Sequence, residues 1–167
     1  GKNYDLTFVG GELDITKRLI TLAADAVSKT YGDTDPTLSV SITSGSLGTV
    51  TVSDTLADVT GTLSRQAGQD VGSYDVELGS GDKASNYAIT FETDNNAFVI
   101  DPRAITITAD DLTKTYGDAD PSLTYGSDIS LVTGDSFTGS LTRASGEDVD
   151  TYAILQNTLS IDDGNEG

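Results

Sequence analysis

A chain of 167 residues with 27 Asp and Glu against 9 Lys and Arg carries a formal net charge of -18, a field that repels nucleic-acid phosphates and anionic lipid surfaces. It has no Cys, His, Met or Trp, which excludes thiol and imidazole catalysis, Ser-His-Asp triads, ordinary zinc sites and haem ligation. The absence of Cys leaves the redox compartment open, and no apolar run nears the ~18 residues that a membrane span needs.

In chain order, NYDLTF (3–8) and LDITKR (13–18) come first, two short alternating segments on either side of Gly10 and Gly11. LITLAAD (19–25), TLSVSI (37–42), GTVTVS (48–53), ADVTGTLSR (57–65), SYDVEL (73–78), NYAITFE (86–92) and AFVIDP (97–102) follow. Each is β-branched or alternating and bounded by Gly, Asn, Asp or Ser, so each predicts a strand. Alternation assigns Ile20, Leu22, Val59, Leu63, Val76, Leu78, Ile89, Phe91, Phe98 and Ile100 to inward faces. Tyr74, Tyr87 and Tyr152 are read as packing residues that cap a small core. Helical character is confined to DISLVTGDSF (128–137), where Ser130 to Gly134 form one turn before the GSLTR strand; the longer loop at 41–59 predicts none.

The chain repeats itself. KTYGDTDP (29–36) returns as KTYGDADP (114–121), so Tyr31 and Tyr116 are 85 residues apart, and GTLSRQAGQDVGSYDV (61–76) returns as GSLTRASGEDVDTYAI (139–154). A third echo matches NYDLTF to NYAITF (86–91) and LDITKR to FVIDPR (98–103). Residues 1–18 therefore read as the C-terminal hairpin of a preceding or partner repeat, 19–103 as a complete repeat, and 104–167 as a repeat lacking its last two strands. The expectation is one period of a longer array, cut mid-repeat, whose parent continues in tandem or whose subunits lend residues 1–18 to a neighbour.

Three chemistries compete for the octapeptide. As a turn, Gly32 supplies a backbone conformation closed to other residues, Asp33 and Asp35 bond turn amides, and Pro36 restarts extended chain. As a calcium site, Asp33 and Asp35 with Asp70, and their counterparts Asp118 and Asp120 with Asp148, offer hard oxygen ligands; the spacing lacks the loop Gly and terminal Glu of an EF-hand. A carboxylate-pair hydrolase is disfavoured, because the duplicated loops lack a pocket of aromatic or basic residues. Lys29 and Lys114, which begin the motif, are read as solvated or snorkelling.

KTYGD[TA]DP followed by G-[TS]-L-[ST]-R, G-x-D-V-x-x-Y and N-Y-x-[IL]-T-F resembles the YGX-type MBG repeat of large bacterial surface proteins and adhesins. The resemblance covers nearly the whole chain. It implies a mostly β, β-grasp-like fold in two tandem small modules of an elongated rod, the second incomplete unless residues 1–18 of a neighbouring copy complete it. It carries no catalytic residues and no cofactor, so no enzyme is expected; calcium is the one cofactor that the residues themselves allow. The expected function is an extracellular stalk or fibre segment of an adhesin at the bacterial cell surface, its partners being neighbouring repeats or subunits head to tail. The alternatives are a self-polymerising filament subunit that donates residues 1–18, and a glycan- or matrix-binding module.

Overall fold

The computed structural model of the chain describes residues 3–48 and 53–164. They divide into two compact units, Gly1–Pro102 and Arg103–Gly167. The first unit carries β1 (Arg18–Ala24), β2 (Val27–Thr30), β3 (Val40–Gly45), a short helix α1 (Leu56–Thr60), β4 (Ser64–Arg65), β5 (Gly72–Tyr74), β6 (Val76–Glu77), a 3-10 turn at Ala84–Asn86, β7 (Tyr87–Phe91) and β8 (Phe98–Asp101).

β1 runs into β2 across Asp25 and Ala26, which make neither turn nor bend. Alongside, β7 lies parallel to β1, from Tyr87 opposite Arg18 to Phe91 opposite Leu22, and β8 lies parallel to β2, from Phe98 opposite Val27 to Asp101 opposite Thr30. The counterpart of residues 3–18 in this module is thus no hairpin: β7 and β8 follow β1 and β2 in one direction. β3 adds antiparallel to the free edge of β1 and β5 antiparallel to β8, giving two three-stranded sheets, while β4 and β6 form a separate antiparallel pair. The first strand paired in parallel with a late one, and a helix against them, meet the β-grasp-like expectation.

The period of two in LITLAAD puts Ile20 and Leu22 on one face, and both are buried with Val59 and Tyr87. A second cluster gathers Val76, Ala97, Phe98 and Ile100. Of the inward residues expected in this module, Leu63, Leu78, Ile89 and Phe91 are only half-buried, although Leu78, Ile89 and Phe91 pack against the first cluster.

Helix placement reverses the sequence expectation. The helix is α1, inside the loop expected to have none, and it takes the first half of ADVTGTLSR, leaving only Ser64 and Arg65 as strand. Its cause is local: Thr55 Oγ1 accepts from the Asp58 amide at 3.3 Å while the Asp58 carboxylate accepts from the Thr55 amide at 2.7 Å, a reciprocal capping box. Most of GTVTVS, 49–52, lies outside the described residues.

The second unit holds β9 (Ile107–Ala109), β10 (Tyr125–Ser127), β11 (Ser136–Thr138), β12 (Thr142–Arg143), β13 (Ile154–Leu155) and β14 (Ser160–Asp162). They pair only in twos, β9 with β10, β11 with β14 and β12 with β13. The segment expected to be helical makes a turn, closed by the Asp135 amide on the Val132 carbonyl at 3.1 Å, that leads into β11. β9 and β10 repeat the pairing of β1 and β3, and β12 and β13 that of β4 and β6. Among the described residues of this unit, Leu159 is the one buried hydrophobic side chain. No helix among the described residues is long and apolar enough to cross a membrane.

Candidate functional site

The octapeptide closes as a turn in both modules. Gly32 and Gly117 take φ of 82° and 88°, and the amides of Asp33 and Asp118 donate to the carbonyls of Thr30 and Thr115, each at 3.0 Å. Such a φ is costly for any residue with a Cβ. This turn folds the motif's second Asp back over its Lys.

In the first module Lys29 Nζ donates to Asp35 Oδ1 at 2.8 Å, to Gln69 Oε1 at 2.7 Å and to the Asp33 carbonyl at 3.0 Å. Arg65 meets the same carboxylate from the other side, Nε to Oδ2 at 2.7 Å and Nη2 to Oδ1 at 3.3 Å, a bidentate grip. Its Nη1 donates to the carbonyls of Gln66 and Gly68, and its guanidinium lies 4.5 Å from the Phe98 ring centre and 5.2 Å from that of Tyr74. The Tyr74 hydroxyl donates to the Asp70 carbonyl at 2.8 Å. Two cations around one carboxylate hold the Asp35 carboxyl down at about 2, Arg65 contributing most and Lys29 next.

The second module repeats the arrangement with one substitution. Asp120 receives Lys114 Nζ and Arg143 Nε, each at 2.7 Å, and where Gln69 stood Glu147 also takes Lys114, at 2.7 Å, and Arg143. The Asp120 carboxyl is likewise held at about 2, by Arg143 first and Lys114 second. The Glu147 carboxyl is lowered by the same two cations, Lys114 first. The Tyr152 hydroxyl donates to the Asp148 carbonyl at 3.0 Å.

The structure therefore separates the six Asp residues by role. Asp35 and Asp120 are the centres of ion-pair latches. Asp33 and Asp118 serve through backbone amides and carbonyls, and Asp70 and Asp148 through carbonyls that accept from tyrosines. Among the described residues no group of three or more acidic side chains comes together as a metal site. We expect melts in millimolar calcium and in chelator to coincide, because cations of the chain already neutralise the carboxylates at the centre of each cluster. A midpoint raised by calcium would overturn this; occupancy at a hundred times Kd would add ~2.7 kcal/mol.

The latches rest on residues outside the expected site: Lys29, buried where a solvated or snorkelling side chain was expected, with Lys114, Arg65 and Arg143, Gln69 and Glu147. A signal was present. Of only 9 basic residues in a chain of net charge -18, Lys29 and Lys114 open the two octapeptides, and Arg65 and Arg143 close the two G-[TS]-L-[ST]-R segments. The loop motif G-x-D-V-x-x-Y also gains a cause. Gly68 and Gly146 lie under the tyrosine rings, where an added Cβ would come within 2.3 Å and 2.1 Å of ring carbons of Tyr74 and Tyr152.

One difference between the modules is an open groove. In the first, β8 fills the space between β2 and β5. In the second, the counterparts of β2 and β5, 112–115 and 150–152, belong to no strand pair among the described residues, and a cavity of about 610 Å³ is lined by Leu112, Lys114, Tyr116, Asp150 and Tyr152 among others.

The family model for the MBG domain (YGX type) matches the chain twice, over residues 20–98 and 105–165. No curated protein and no solved structure gives a significant match. Each match spans one octapeptide turn together with the Arg and the Tyr of its latch, and the two take in most of the sequence: the chain belongs to the YGX-type MBG domain family, in two tandem copies.

Proposed function

We propose that the chain is a load-bearing spacer segment of an extracellular bacterial surface protein, in which tandem MBG modules set the distance between a cell and what it adheres to. The observation that carries this reading is the parallel course of β1–β2 and β7–β8. The chain enters the first module at Arg18 and leaves it at Asp101, at opposite ends of this paired run. Tension applied through the chain pulls the two lines past each other along their length. The ladder bonds between them are then loaded together in shear instead of being opened one at a time.

The latch adds a lock at the end where β8 leaves, since Arg65 holds the Phe98 ring and the octapeptide turn at once. We assign the chain no catalytic step. Its polar clusters, among the described residues, are ion pairs closed on themselves, and family membership supports a repeat module. A surface location follows from the same reading, and partners are the neighbouring repeats.

Single-molecule stretching tests it. Pulled through Arg18 and Asp101, the first module should unfold at a clearly higher force than when pulled through Arg18 and Gly45, a geometry that opens β3 from β1 bond by bond. Equal forces would remove the load-bearing role.

A further inference from the structure

We infer that residues 3–18 of one copy of the chain seat as strands in the open groove of another copy's second module. The inference rests on the tandem-module reading but on neither a mechanical role nor a surface location, and its test reads assembly alone.

The first module shows what the groove lacks. β8 brings Phe98 and Ile100, both buried, between β2 and β5, while β7 pairs with the second edge of β1. Among the described residues of the second module β9 pairs on one edge only and residues 112–115 with no strand. At the other end of the chain, residues 4–17 form no helix or strand. This segment holds out to solvent the apolar residues that match β7 and β8: Tyr4, Leu6, Phe8, Leu13 and Ile15 are each at least 85 % exposed. Isolated exposed hydrophobics are ordinary, but an alternating row of them beside unpaired strand edges is not.

The first module fixes the register. By the pairings of β8, Leu13 would lie opposite Leu112 and Tyr152, as Phe98 lies opposite Val27 and Tyr74, and Ile15 would lie opposite Lys114 and Asp150, as Ile100 lies opposite Lys29 and Gly72. By those of β7, Tyr4 to Phe8 would run parallel to Arg103 to Ile107. Spacing agrees. Four residues separate Phe8 from Leu13, and four separate Ile107 from Leu112. In the first module six residues stand opposite four, an excursion that Asn95 ties down through Val76. The donor has no such Asn and, with equal lengths, needs none.

A second copy is the occupant because residues 3–18 match, position for position, the strands that complete the first module, and every copy of the chain carries both this segment and the groove. Donation from copy to copy is a heterologous, head-to-tail contact, which propagates. With -18 charges per chain, copies repel at low ionic strength, so assembly should strengthen as salt shortens the Debye length from ~30 Å at 0.01 M to ~10 Å at 0.1 M.

The test uses the 167-residue chain, its mass followed by light scattering over a hundredfold concentration range at 0.15 M salt. We expect mass to grow with concentration, growth to be lost in the double variant Leu13→Asp, Ile15→Asp, and a synthetic peptide of residues 3–18 to cap it. Both positions are exposed, so the first module of that variant should keep the parent's melting midpoint, which serves as the control for folding. Because the chain has no Cys, the register can be read separately. A variant with Asp14→Cys and Thr151→Cys should form a disulfide ladder between chains on oxidation. A monomer at every concentration would overturn the inference, as would oligomers indifferent to the double variant, or a disulfide formed only within one chain.

Discussion

Replacing Asp35 by Ala is expected to destabilise the first module by about 3 kcal/mol, the low end of the range for orphaning a buried charge. The carboxylate itself is 42 % exposed, but its partners are not: the Lys29 side chain is 4 % exposed and that of Arg65 8 %. Removing Asp35 leaves two buried cations facing each other. Lys29 keeps Gln69 Oε1 and the Asp33 carbonyl, and Arg65 keeps the Gln66 and Gly68 carbonyls and two aromatic faces, which is why the cost stays at the low end. The same change in the second module, Asp120→Ala, should cost clearly less. There Lys114 and Arg143 are 24 % and 19 % exposed and Glu147 remains to receive both, the regime in which solvent screens the pair. Urea denaturation of the two variants reads the difference, and equal costs would remove the distinction drawn between the latches.

Acid provides an independent arm. The Asp35 carboxyl sits at about 2 in the folded chain against an ordinary 3.8. A lowered folded value means stability that is present in full above the ordinary value and lost as pH falls through the folded one. The gap between parent and Asp35→Ala should therefore be constant above about pH 4, shrink between pH 4 and 2, and close below it. Comparing the two at each pH matters, because protonating the other acids of a chain at -18 relieves repulsion in both alike.

The two-module plan and the strand content were legible because repetition and period-two alternation are properties of the sequence itself. LITLAAD pairs as a strand at both edges and buries Ile20 and Leu22 as its pattern requires. The helix was missed because Thr55 and Asp58 make its capping box between the alternating GTVTVS and the β-branched VTGTL, and four residues of local hydrogen bonding outweighed the β pattern. The latch was half legible. Gly32 and Asp33 make the expected turn, yet the partner that decides the fate of Asp35 is Arg65, 30 residues on, and only tertiary pairing brings the two together. Of the D-x-D pair, it is Asp35 that Lys29 and Arg65, cations of the chain itself, hold. Parallel pairing of β7 and β8 with β1 and β2 was also beyond the sequence, since two strands joined by six residues satisfy a hairpin equally well until their partners are known.

Phe98→Ala is expected to be the most damaging single change, at about 3–5 kcal/mol for removing a fully buried aromatic. Phe98 is 0 % exposed, meets the Tyr74 ring edge-on at 6.4 Å and carries the Arg65 guanidinium on its face, so truncation opens a cavity and strips the latch of its floor together. A module of ~85 residues has roughly 4–13 kcal/mol in total, and the variant should unfold its first module in mild urea while the second module's transition stays in place. Phe98→Leu is the sharper comparison, because Leu13 is what the N-terminal segment offers at the same register. Leucine keeps most of the apolar volume, so the cost should fall to about 1–1.5 kcal/mol. A small cost would mean that the slot between β2 and β5 accepts leucine, and hence that Leu13 can fill its equivalent in the second module. A cost as large as that of alanine would mean that an aromatic ring beneath the arginine is indispensable, and the N-terminal segment, which has none at that position, could not serve as its substitute.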